Sequence, residues 1–111
     1  MKKILRLTRH ALLREQDAEL RRIFGSDLEI IQVSETVPDV ARVLAIIEEH
    51  RPDVVEVILP HSLTAALTRA GLVIPIIRAI TRRVLHEDGT KDAPFSHYER
   101  IISLEIVSER L

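Results

Sequence analysis

The residues best suited to chemistry stand where apolar runs stop. Thr8, Arg9 and His10 follow directly on Ile4-Leu5-Arg6-Leu7, offering a hydroxyl, a guanidinium and an imidazole that titrates near neutrality at the end of a short buried strand. Three further runs break in the same way, at Ser34-Glu35-Thr36, at Pro60-His61-Ser62 and across Arg78 to Arg82. Together these segments suit an anionic phosphate ester. Arg9, Arg78 and Arg82 would supply charged donors, while Thr8, Ser34, Thr36, Ser62 and Thr81 would supply neutral ones. His10 and His61 are the groups able to move a proton at neutral pH, and Gln16, one turn into the first helix, could turn toward the same place.

Plainer roles compete with these. Ser34, Thr36 and Ser62 are also good helix caps, and Arg9, His10 and His61 could be solvated loop residues. Arg21, Arg22, Glu48 and Glu49 read as the solvated side of helices. A metal held by His10, His61 and Glu35 is conceivable, but chemistry without a metal or other cofactor is the expectation. No glycine-rich fingerprint follows the first strand, which argues against a dinucleotide, and no phosphate loop of the nucleotide-hydrolase type occurs. The strand end Leu59-Pro60-His61 also lacks the aspartate that a phosphorylated receiver domain requires.

The elements that must carry these residues follow from periodicity. Lys3 to Thr8, Leu28 to Val33 and Val54 to Leu59 read as strands, the last interrupted by Glu56. Arg14 to Phe24 reads as a helix, with Leu13, Leu20, Ile23 and Phe24 on one face and Gly25 to leave it. A second helix places Pro38 in its first turn and Val40, Val43, Leu44 and Ile47 on its apolar face, closing toward Pro52. A third is capped by Ser62, aligns Leu63, Ala66, Leu67 and Ala70, and ends at Gly71. Val73 to Ile80 forms a fourth strand running on to His86, and Tyr98 to Val107 a last strand that pairs with it antiparallel as a long hairpin around Asp88-Gly89. This order implies an α/β, Rossmann-like, three-layer domain with a mainly parallel sheet and a C-terminal antiparallel strand or hairpin. In such a sheet ligands bind beyond the carboxyl ends of the strands, which is where all four polar segments fall.

Composition limits the partners. The 111 residues suffice for one domain spanning 1–111, and with 46% hydrophobic but only 3% aromatic residues its core is aliphatic. A net charge of −1 creates no global field for duplex DNA, so an anion would have to be held by a local basic cluster. Cysteine is absent, and the N-terminus carries neither a signal-peptide pattern nor a membrane-length apolar stretch, so the cytoplasm is the expected location and no membrane the expected partner.

Leu7-Thr8-Arg9-His10-Ala11-Leu12, followed by Glu15-Gln16 and Glu19-Leu20, resembles the opening of the small CRISPR-associated, CARF-like Rossmann-fold ring nucleases of type III systems. In that family a Ser/Thr-x-His-x-Leu-Thr stretch precedes a Gln and a Glu-Leu pair on the first helix; here Leu13 replaces the second Thr. The resemblance covers residues 7–20, and beyond them architecture and size. It implies a homodimer that binds a cyclic oligoadenylate, most simply cyclic tetra-adenylate, across its two-fold axis and cuts it to linear products, ending an antiviral signal. The ribose 2′-hydroxyl would attack the adjacent phosphate without a metal. Arg9, with Arg78 or Arg82, would hold phosphate; His10 would lead as acid, base or positioning group with His61 second; Thr8, Ser62 and Gln16 would donate neutral hydrogen bonds. Two other readings of the sequence are a module of the same fold that captures the nucleotide without cutting it, and a dimeric interaction domain without a ligand, motivated by the apolar edge Ile101 to Val107.

Overall fold

A computed structural model describes residues 1–102 of the chain. Its elements run β1 (Lys3–Leu7), α1 (Arg14–Phe24), β2 (Glu29–Val33), α2 (Val40–His50), β3 (Val54–Val57), α3 (His61–Arg69), β4 (Ile76–Thr81), β5 (Val84–Leu85), β6 (Lys91–Asp92) and β7 (Phe95–Arg100). Five strands form one sheet in the order β2-β1-β3-β4-β7, and β5 and β6 form a separate two-stranded ribbon. The β1–β2, β1–β3 and β3–β4 pairs are parallel and β4–β7 is antiparallel, so the architecture is the Rossmann-like α/β arrangement expected from the order of elements.

Alternation along the strands sorts the core into two layers. Leu5, Leu7, Val55, Val57 and Ile76 pack with Val43, Ile46 and Ile47 of α2 and Leu67 of α3. Their sequence neighbours Ile4, Val54 and Ile77 face the other way and pack with Leu20 of α1, Leu28, Phe24 and Tyr98. Helix α1 therefore covers one face and α2 with α3 the other. β1 connects outward through α1 to β2, whereas β3, on the other flank of β1, leads through α3 to β4. The connections leaving β1 and β3 part to opposite faces, so a crevice opens between these two strand ends.

Several boundaries differ from the pattern. Asp39, not an upstream serine or threonine, caps α2 by accepting the Arg42 N–H at 2.9 Å, so Pro38 lies before the helix. At α3 the cap position is Pro60, whose carbonyl accepts the N–H groups of Leu63 and Thr64 at 3.1 and 3.0 Å; Ser62 is inside the first turn. β4 starts at Ile76, after Pro75, and Val73 is 95% exposed. It does not run on to His86. The Arg82 N–H donates to the Pro94 carbonyl at 2.9 Å, and the chain then leaves the sheet as the β5–β6 ribbon, closed around Gly89 at φ +84°. The predicted hairpin partner begins earlier than Tyr98, at Phe95, and pairs from Thr81↔Phe95 to Ile77↔Arg100. Residues 103–107 of that predicted strand lie outside the described residues, as does most of the apolar edge Ile101 to Val107. Among the described residues no helix is long and apolar enough to cross a membrane.

Candidate site at the carboxyl edge of the sheet

The loop after β1 is shaped by its own polar groups. Thr8 is buried, and its Oγ1 accepts the His10 N–H at 3.1 Å, turning the backbone sharply and leaving the Arg9 and His10 side chains exposed. Gln32, near the end of β2, donates from Nε2 to the Thr8 carbonyl at 3.2 Å and to the His10 carbonyl at 3.0 Å. Ser34 Oγ donates to the Thr8 carbonyl at 3.3 Å, so this serine braces the β1 loop instead of capping α2.

Beneath the loop lies a buried ionic row. Arg6 and Glu56 stand opposite each other on β1 and β3, both fully buried, with Arg6 Nε donating to Glu56 Oε1 at 3.0 Å. Arg6 Nη1 donates to Gln32 Oε1 at 2.6 Å, and the Tyr98 hydroxyl donates to Glu56 Oε1 at 3.1 Å. Burial, then the adjacent Glu56 charge and the hydrogen bond to it, raise the Tyr98 phenol well above its ordinary value. A charge moved out of water is tolerated only when paired and hydrogen-bonded, and among the described residues no buried side-chain nitrogen or oxygen lacks a partner.

The β1 loop borders a cleft of about 280 Å³. Thr8, Arg9 and His10 line one side, Glu35, Thr36 and Val37 after β2 another, and Ile58, Leu59 and Pro60 after β3 the third. This is the crevice that the parting of the β1 and β3 connections creates, the place where ligands of open parallel sheets collect. Its floor is apolar, and the N-terminus of α3 begins beside it at Pro60. The Glu35 carboxylate is gripped by Arg42, with Nη2 to Oε1 at 2.7 Å and a second contact from Nε, and that hydrogen bond holds its carboxyl below the usual range. Arg9 makes no ion pair among the described residues, so the positive charge at the rim is Arg9's to offer.

The predicted residues divide on this geometry. Thr8, Arg9, His10 and Thr36 share the cleft, and Ser34 supports it. Arg78 lines a neighbouring concavity of about 240 Å³ with Thr64 and Ala79, which touches the first through Ile58 and Leu59, and it pairs with Glu99 at 3.7 Å. Thr81 and Arg82 are exposed beyond it, at the stem of the ribbon, and line neither hollow. Gln16 is buried and its Oε1 accepts the Leu13 N–H at 3.1 Å, which commits it to starting α1. Ser62 is exposed on α3 and does not line the cleft; His61 opens that helix, and its side chain lies outside the described part of the structure. Among the described residues no three His, Asp or Glu side chains gather as a metal site.

Reading along the chain missed Arg6, Gln32, Glu56 and Tyr98. The usable signal was one arginine and one glutamate, each interrupting an apolar strand, since such charges are buried only in company. The chain matches no protein-family model, no curated protein and no solved structure.

Proposed function

We propose that the cleft after β1 binds a phosphodiester of a cyclic oligoadenylate and that the protein, as a homodimer, cleaves the ring to linear products without a metal, as the likeness of residues 7–20 to the ring nucleases suggests. The observation that carries this reading is the exposed Arg9–His10 pair on a backbone fixed by Gln32 and Thr8, at the rim of the crevice between β1 and β3. A guanidinium beside an imidazole on a held backbone suits phosphoryl chemistry. Arg9 would neutralise the phosphate and hold it in line, and His10 would assist the proton transfer as the 2′-oxygen bonds to phosphorus, the P–O5′ bond breaks and the 5′-oxygen leaves as a hydroxyl. Thr36 and the amides at the start of α3 offer neutral donors to the same group.

Size argues for more than one hollow. About 280 Å³ is at the small end of ligand pockets, enough for one nucleotide unit, so a ring would extend into the Arg78 hollow or onto a second copy of the chain. Capture without cleavage is the second reading, favoured because the His10 ring has no hydrogen-bond partner among the described residues, whereas a catalytic base is commonly oriented by a third group. Incubation with cyclic tetra-adenylate in the presence of a chelator, followed by chromatography, decides between them. Linear products ending in a 2′,3′-cyclic phosphate support the nuclease, intact ligand that elutes with the protein supports capture, and intact ligand that elutes free overturns both.

A further inference from the structure

We infer that Gln32 is a positioning residue, an adapter that ties the buried Arg6–Glu56 pair to the backbone carrying Arg9 and His10. The inference deepens the proposed function, since its value to the protein rests on that loop holding a phosphate. Arg6, Gln32 and Glu56 stand in one row across β2, β1 and β3, with Arg6 opposite Gln32 on one side and opposite Glu56 on the other. Arg6 Nη1 reaches the His10 carbonyl directly only at 3.5 Å and, among the described residues, does not bond the Thr8 carbonyl. The short link between the guanidinium and both carbonyls therefore needs a group that accepts on one end and donates twice on the other. A glutamine carboxamide does this. Its Oε1 takes the 2.6 Å bond from Arg6, and its Nε2 gives one proton each to the carbonyls of Thr8 and His10 at 3.2 and 3.0 Å. Those chemical requirements fix which end is oxygen and which is nitrogen.

The Thr8 carbonyl belongs to the peptide unit before Arg9 and the His10 carbonyl to the one after His10, so holding both fixes the peptide units that bracket the Arg9–His10 pair. The anchor behind them is stiff because Arg6 is fully buried, bonded to Glu56, which Tyr98 of β7 holds in turn. Gln32 itself is exposed, so changing it removes the adapter without opening the core. Glutamate could accept from Arg6 but could not donate to the carbonyls, and methionine could do neither.

Two variants test this. Gln32→Glu keeps the acceptor for Arg6 and loses both Nε2 clamps, leaving the Thr8 carbonyl to Ser34 at 3.3 Å and the His10 carbonyl to Arg6 at 3.5 Å; Gln32→Met is neutral and suits the ligand measurements. Nitrogen-15 relaxation should show Arg9 and His10 rigid in the wild type, with order parameters near 0.85, falling below about 0.6 in both variants while β1 stays rigid. With cyclic tetra-adenylate, Gln32→Met should slow single-turnover cleavage about tenfold while changing the dissociation constant less than about threefold, a split that general destabilisation would not produce. Unchanged order parameters at Arg9 and His10 in both variants would overturn the inference, as would a loop already mobile in the wild type. If the wild type ignores the nucleotide but the variants loosen the loop, the proposed function fails and the clamp stands.

Discussion

The crevice beside β1 and the hollow beneath the β5–β6 ribbon make an instructive pair. The ribbon hollow is the larger, about 650 Å³ against about 280 Å³, and Arg83 and Lys91 give it cations of its own. Yet its walls are two strands of two residues each, joined by a turn and standing apart from the five-stranded sheet. A lone two-stranded ribbon has little to hold its side chains in place. The crevice is smaller, but the backbone beside it is hydrogen-bonded to Ser34 and Gln32 and, through Gln32, to a buried ion pair. A site is a matter of how firmly its groups are placed, and volume alone does not report that.

The sharpest way to break the contrast is to remove the anchor of the crevice. Glu56→Ala strands Arg6 as an unpaired buried charge and should cost about 3–5 kcal/mol in urea unfolding, whereas an Arg6→Met/Glu56→Leu double variant should recover most of that loss. A double variant as unstable as Glu56→Ala would show that burial of the lone charge is not the cause.

Next in size are the side chains at the rim. If the proposed function holds, His10→Ala slows cleavage of cyclic tetra-adenylate by about a hundredfold or more with little change in affinity, and Arg9→Ala weakens binding by roughly tenfold to a hundredfold. Equal effects from Arg83→Ala at the ribbon would transfer the site to the larger hollow.

A smaller effect comes from Tyr98. Folding keeps its phenol protonated to higher pH than the unfolded chain does, so this contribution is fully present below about pH 10 and is lost as pH rises beyond it. Tyr98→Phe should cost about 1 kcal/mol at neutral pH and make the fall in stability above pH about 10 shallower, which parallel urea titrations at both pH values would check. The smallest change is expected at the ribbon. Leu85 is 72% exposed, and Leu85→Ser should alter unfolding free energy by no more than about 0.5 kcal/mol; a loss several times larger would show that the ribbon is tied to the core after all.

Much of the fold was legible because its signals are local. The helix predicted over Arg14 to Phe24 forms over those residues, with Gly25 just beyond it at φ +113°, and the strand–helix alternation that predicted the α/β architecture is present. Where a prediction rested on the choice among neighbouring polar residues it was less secure, as Asp39 displaced Ser34 and Thr36 as the cap of α2. Of the candidate site, Thr8, Arg9, His10 and Thr36 were legible as polar residues following apolar runs. Gln16 and Ser62 were not, because the predicted strand ends say nothing about which way a helical side chain turns.

The sequence by itself determined that polar and charged side chains would collect at strand ends, since apolar periodicity alone locates where strands stop and polar loops begin. Only the tertiary structure decided which of them meet. Arg6 finds Glu56 across 50 positions of chain, and Gln32 finds the His10 carbonyl across 22. Both pairings depend on strand order and register, which arise when separate runs pack on a shared sheet and are written in neither run alone.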